Sequence, residues 1–120
     1  MIRILFIDDD EMVLQLMAKA ATLLGCQPLL SSSPRQALAL AAREDPALIM
    51  VDMRMQEMDG TEFVRELRRL PLIAHLPVIL FSAGIGLSDK DEAMRAGANG
   101  FLQKPVILSQ LSQTIQAYTF

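Results

Sequence analysis

Leu48-Ile49-Met50-Val51-Asp52 places four apolar residues in an unbroken run ahead of a carboxylate. A run without alternation suits a parallel strand covered on both faces, because a half-exposed strand would turn every second residue to water. Val78-Ile79-Leu80-Phe81, closed by Ser82, repeats the pattern. Outward from these two, apolar runs predict five strands, at 2–7, 27–31, 48–51, 78–81 and 100–102. Between them lie helical patterns. The first, 11–24, puts Val13, Leu16, Met17, Ala20 and Leu24 on one face, with Gly25 offering a left-handed stop. The second has Ser33 as N-cap and Pro34 at the first helical position, continues through Ala37, Leu38 and Ala41, and ends before Asp45-Pro46. The third has Asp59 as N-cap, Glu62 at the capping-box position, Phe63, Val64, Leu67 and Leu70 inward, and Pro71 beyond its end. The fourth starts near Ser88 and stops at Gly97. The fifth covers 107–118 with Leu108, Leu111 and Ile115 inward. Five β-α units predict one doubly wound, three-layer α/β domain over residues 1–120, with its binding crevice beyond the carboxyl ends of the strands.

Composition agrees with a single core: 52% of the 120 residues are hydrophobic and 21% charged. A net charge of -3, with no Lys/Arg run, supplies no basic field for phosphate backbones, so nucleic acid is not expected as a direct partner. The apolar start is too short for a signal peptide. The uncharged stretch 105–120 is interrupted by Ser, Gln and Thr, so no membrane span is expected. A lone Cys26 has no partner for an internal disulfide, and the expected location is the cytoplasm.

The residues at the strand ends are Asp8, Asp9 and Asp10, then Asp52, Ser82 and, shortly after the fifth strand, Lys104. The predicted topology gathers them at one sheet edge. Carboxylates crowded within ~4–6 Å repel one another, and a raised pKa, a cationic side chain or a bound divalent metal relieves the repulsion. Oxygen-only donors with no His or Cys favour Mg²⁺ over zinc, with Mn²⁺ as a substitute. If a phosphoryl group arrives, Asp52 is the candidate nucleophile, while Ser82, Lys104 and the metal neutralise its oxygens. Any one of these residues alone reads as a helix terminus, a turn or a solvated charge. Their coincidence at one edge favours the functional reading.

Ile4 to Asp10, Val51-Asp52-Met53-Arg54-Met55, Met58-Asp59-Gly60, Leu80-Phe81-Ser82-Ala83 and Phe101-Leu102-Gln103-Lys104-Pro105 together resemble the receiver domain of response regulators in two-component signalling. The resemblance covers essentially the whole chain. It implies a flavodoxin-like (βα)5 sandwich with strand order 2-1-3-4-5. Asp52 would be the phosphoacceptor, and Asp8, Asp9, Asp52 and the backbone carbonyl of Arg54 would organise Mg²⁺. Asp10 would stand by. Ser82 and Lys104 would bond phosphoryl oxygens, Phe101 would be the aromatic switch coupled to Ser82, and a cis bond would precede Pro105. The implied phosphoryl donor is a sensor histidine kinase or a histidine phosphotransfer protein. The implied target is a downstream protein or a C-terminal output domain, reached through the face of the fourth helix, fifth strand and fifth helix. Such a domain is a signalling phosphoacceptor that catalyses its own phosphotransfer and slow dephosphorylation, and is not classed as an enzyme.

Several features depart from the commonest receiver pattern. Gln56 stands where many members have proline, which predicts a looser turn. Phe101 replaces a frequent Tyr and has no hydroxyl to bond a partner. Arg54 and Gly84 occupy variable positions beside the phosphoryl group. The fifth helix presents Ser109, Gln110, Ser112, Gln113 and Gln116 in place of the charged residues that pair winged-helix regulators, which favours a monomer or a weak phosphorylation-dependent dimer. Two rivals remain: a dehalogenase-type phosphatase with Asp8 as nucleophile, against which Glu11 and the short chain speak, and a docking module that no longer switches. His75 and Gly84-Ile85-Gly86 match no catalytic or phosphate-binding motif.

Overall fold

The computed structural model describes residues 1–83 and 87–119. Five strands, β1 (Arg3–Ile7), β2 (Gln27–Ser31), β3 (Leu48–Asp52), β4 (Val78–Ser82) and β5 (Gly100–Gln103), alternate with five helices. These are α1 (Glu11–Leu23), α2 (Pro34–Glu44), α3 (Gly60–Arg68), α4 (Leu87–Ala96) and α5 (Leu108–Thr119). All strand pairs are parallel and the order is β2-β1-β3-β4-β5, as the resemblance implied. β3 and β4, the two strands expected to be covered on both faces, are buried at every position. One apolar layer packs α1 and α5 on the sheet through Leu14, Met17, Ala21, Leu111 and Ile115. The other packs α2, α3 and α4 through Ala37, Ala41, Phe63, Val64, Leu67, Ala93 and Ala96.

Local chemistry sets the helix ends. Asp10 caps α1 by accepting the Met12 N–H, and Ser33 caps α2 by accepting that of Gln36, with Pro34 following. Gly25 and Gly97 take left-handed conformations at φ +79° and +110° just past α1 and α4. Asp59 occupies the N-cap position of α3, yet its carboxylate makes no cap hydrogen bond and lies 3.7 Å from Arg54. The bond between Lys104 and Pro105 is cis.

Leu16, Leu70 and Leu108, expected to face inward, are exposed. Leu16 is 62% exposed, because α1 is apolar on most of its circumference and its true inner stripe is Leu14, Met17 and Ala21. Leu70 lies beyond the end of α3, and Leu108 is the first residue of α5; both are exposed. The readings made for Gly84-Ile85-Gly86 fall outside the described residues.

Gly60 allows the start of α3 to meet the end of β3. A Cβ there would come within 2.4 Å of the Asp52 carbonyl oxygen and 2.5 Å of Leu80 Cδ2. Backbone cannot give way cheaply, so Gly60→Ala is expected to lower unfolding free energy by about 1–3 kcal/mol, the usual cost of overpacking. Urea denaturation measures it, and an unchanged midpoint would refute this role for the close approach.

Candidate functional site

Asp8 follows β1, Asp52 closes β3 and Ser82 closes β4, while Lys104 follows β5, so the parallel sheet brings all four to one edge. Asp8 and Asp52 are among the few buried polar residues, at 1% and 6% exposure. Lys104 Nζ stands 3.1 Å from Asp8 Oδ2 and 3.1 Å from Asp52 Oδ1, bridging the two carboxylates. It also lies 5.2 Å from the centre of the Phe81 ring, a favourable cation-π approach. Its backbone N–H donates to the Ser82 carbonyl at 2.8 Å, which fixes the lysine beside the end of β4.

Asp8 Oδ1 accepts the Asp10 N–H at 2.9 Å, so both oxygens of Asp8 are engaged. Among the described residues Asp52 Oδ2 accepts no hydrogen bond. Among the described residues no fully buried side-chain oxygen lacks a partner, so Oδ2 is not completely buried. Asp9 is exposed, and its Oδ2 accepts the backbone N–H of Gln56 at 3.0 Å. A proline at position 56 could not make that bond. The turn that the sequence suggested would be looser is therefore tied to the acidic cluster by the very residue that replaces proline. Glu57, next along, accepts from the Ser33 hydroxyl and the Arg35 N–H, anchoring the same loop to the start of α2. Those donors hold the Glu57 carboxyl below its ordinary pKa.

Carboxylate oxygens of Asp8, Asp9 and Asp52 lie within 4.8 Å of one another, a group able to hold a metal ion. Burial, then the neighbouring Asp8 charge, pushes the Asp52 pKa above its ordinary value, although Lys104 pulls the other way. For Lys104, burial favours the neutral amine, but the hydrogen bonds and charges of Asp52 and Asp8 outweigh it and the pKa rises. One lysine does not balance three carboxylates. The all-oxygen donor set and the remaining negative charge fit a hard divalent cation.

Phe101 sits on β5 opposite Leu80 of β4 and packs, partly buried, against the layer formed with α2, α3 and α4. Arg54 lies between β3 and α3, and its guanidinium faces Asp59, Asp89 and Glu92 at 3.2–3.9 Å. Ser82 donates its hydroxyl to Asp89 Oδ2 at 3.0 Å. Nothing in the residue pattern singles out Asp89, Glu57 or the Gln56 N–H. Each contributes through a contact between loops or helices that leaves no periodic trace.

A family model for the response regulator receiver domain matches residues 4–116. The response regulator PleD of Caulobacter vibrioides is 36% identical over 104 residues, covering 87% of this chain but only 23% of PleD. A protein of Leptolyngbya boryana, named as an uncharacterized 14.6 kDa protein, is 35% identical over 115 residues, covering 96% of this chain and 88% of that one. Among solved structures, the chemotaxis protein CheY4 of Vibrio cholerae superposes with a TM-score of 0.91 at 27% identity, with 98% of each chain covered. This chain thus spans most of one relative and about a quarter of another. With the fold, the strand-end residues and the family match in agreement, the chain belongs to the response regulator receiver family of two-component signalling.

Proposed function

We propose that residues 1–120 form one receiver domain that accepts a phosphoryl group on Asp52 from phosphohistidine, carried by a sensor histidine kinase or a histidine phosphotransfer protein. The observation that carries this reading is the state of Asp52, a buried carboxylate with one oxygen beside Lys104 and the other accepting no hydrogen bond among the described residues. In the transfer an Asp52 oxygen bonds to phosphorus as the phosphorus–nitrogen bond breaks, the imidazole nitrogen keeps the electron pair, and an acyl phosphate results. Lys104 and the Ser82 hydroxyl then donate to phosphoryl oxygens. Asp8, Asp9, Asp52 and the Arg54 backbone carbonyl would hold Mg²⁺, or Mn²⁺ in its place. When bound, the ion offsets the charge that gathers between carboxylates and phosphoryl group. Asp8 is the poorer nucleophile, because it is more deeply buried and both its oxygens are engaged.

Loss of the acyl phosphate to water is slow self-dephosphorylation, so the domain acts as a timed signal carrier and not as an enzyme turning over a substrate. Drawing Ser82 toward the phosphoryl group lets Phe101 repack and alters the face made by α4, β5 and α5. A downstream protein or an output domain reads that face. The neutral exterior of α5 suits a monomer or a weak phosphorylation-dependent dimer. A cytoplasmic setting fits this chemistry, and no described helix is long and apolar enough to cross a membrane.

Intact-mass spectrometry after incubation with acetyl phosphate tests the reading. The expected result is gain of one phosphoryl group with Mg²⁺ and none in chelator; no gain in either would overturn it. The metal assignment has its own measure. At Mg²⁺ a hundredfold above its dissociation constant, the folded parent should gain ~2.7 kcal/mol by mass action, and Asp9→Asn should gain clearly less at the same concentration. Equal melting shifts in both proteins would remove Asp9 from the ligand set.

A further inference from the structure

Asp89, in the first turn of α4, uses its two oxygens on two groups that flank Asp52. Oδ2 accepts the Ser82 hydroxyl at 3.0 Å, and Oδ1 lies 3.2 Å from Arg54 Nη2. Its side chain is 13% exposed, so the contacts are partly shielded from water. Arg54 follows Asp52 by two residues, yet its guanidinium is drawn to carboxylates of α4 and the start of α3.

We propose that Asp89 is a positioning residue that holds Ser82 and Arg54 in the resting arrangement and competes with the phosphoryl group for the Ser82 hydroxyl. The inference rests on the reading of Asp52 as phosphoacceptor. A serine hydroxyl has one proton to donate, so it serves Asp89 or a phosphoryl oxygen, not both. The bond to an ionised carboxylate is charge-assisted and stronger than a neutral one. Molecules in which Ser82 is available are therefore the minor population, and apparent affinity for a phosphoryl-like ligand falls by that fraction. The same exchange unties the first turn of α4 from the end of β4. A local change at Ser82 thereby reaches the helix that borders the proposed output face.

Beryllium fluoride, which occupies a phosphoryl site without a covalent transfer, provides the test when titrated with Mg²⁺ and followed by fluorine NMR. The proteins are the parent, Asp89→Ala, Asp89→Asn, Ser82→Ala, the Ser82→Ala/Asp89→Ala double variant and Asp52→Asn. Asp89→Ala is expected to half-saturate at about a tenth of the parent's ligand concentration or less, as loss of one competing charge-assisted bond would give. Asp89→Asn keeps an acceptor oxygen without the charge and should fall between Asp89→Ala and the parent. In the Ser82→Ala background the gain should vanish. Equal half-saturation of parent and Asp89→Ala overturns the proposal, and so does an equal gain in both backgrounds, which would mark simple removal of a repelling charge. Failure of the parent itself to bind, or binding that survives in Asp52→Asn, would instead overturn the phosphoacceptor reading and the inference resting on it.

Discussion

Asp52→Asn is expected to abolish Mg²⁺-dependent labelling by acetyl phosphate while making the folded protein more stable near neutral pH. The two effects share one cause. Asparagine cannot form an acyl phosphate, and it also removes a charge that the site holds at a cost. Burial and Asp8 raise the Asp52 pKa above its ordinary value despite Lys104. The folded state therefore binds a proton at Asp52 more tightly than the unfolded state does. Its contribution to stability is fully present below the ordinary carboxylate pKa and is lost as pH rises through the raised one. Above the raised pKa the ionised side chain is a net burden, and Asp52→Asn should melt above the parent at pH 7. The gap should narrow as the pH falls through the raised pKa. A variant that melts below the parent at pH 7 would show that the bridge to Lys104 outweighs burial and repulsion.

Lys104→Met is expected to have the opposite effect on stability and a large effect on transfer. The lysine bridges Asp8 and Asp52 at 3.1 Å each. Without it, two buried carboxylates face each other uncompensated. Breaking a buried pair on one side costs about 3–5 kcal/mol, and with Lys104 itself partly exposed about 2–3 kcal/mol is expected here. The raised Lys104 pKa gives the pH dependence: its contribution is present below the ordinary lysine pKa and lost only as pH rises through the raised value. Removing one donor from a developing phosphoryl charge should slow labelling by acetyl phosphate about a hundredfold or more. Mg²⁺ should restore part of the lost stability, since a dication replaces the missing positive charge. Parent-like melting and labelling rates in Lys104→Met would exclude the lysine from both roles.

The strands were legible because β3 and β4 are covered on both faces, so their sequences admit no polar interruption. Asp8, Asp52, Ser82 and Lys104 followed from them, since a parallel sheet places all its carboxyl ends at one edge. Helix faces were less legible. In α1 the run Met12-Val13-Leu14-Gln15-Leu16-Met17 is apolar nearly all round, and periodicity alone chose a stripe containing Leu16 over the true one on Leu14 and Ala21. Leu70 and Leu108 failed for another reason, because at helix termini the chain turns away before the periodic pattern can be honoured. Asp89 left no trace in the sequence. Its partners Ser82 and Arg54 lie in other elements, and only the placement of α4 joins them. Nor could the bond from Gln56 to Asp9 be read, because its donor is a backbone amide that every residue except proline carries.

The central claim is that phosphoryl transfer occurs at Asp52 and at no other carboxylate of the cluster. Borohydride reduction of the labelled protein converts an aspartyl phosphate to homoserine, which marks the acceptor permanently for peptide mass mapping. Homoserine at position 52, formed only when Mg²⁺ and acetyl phosphate are both present, is the predicted result. Homoserine at position 8 would contradict the account and move the nucleophile to the end of β1.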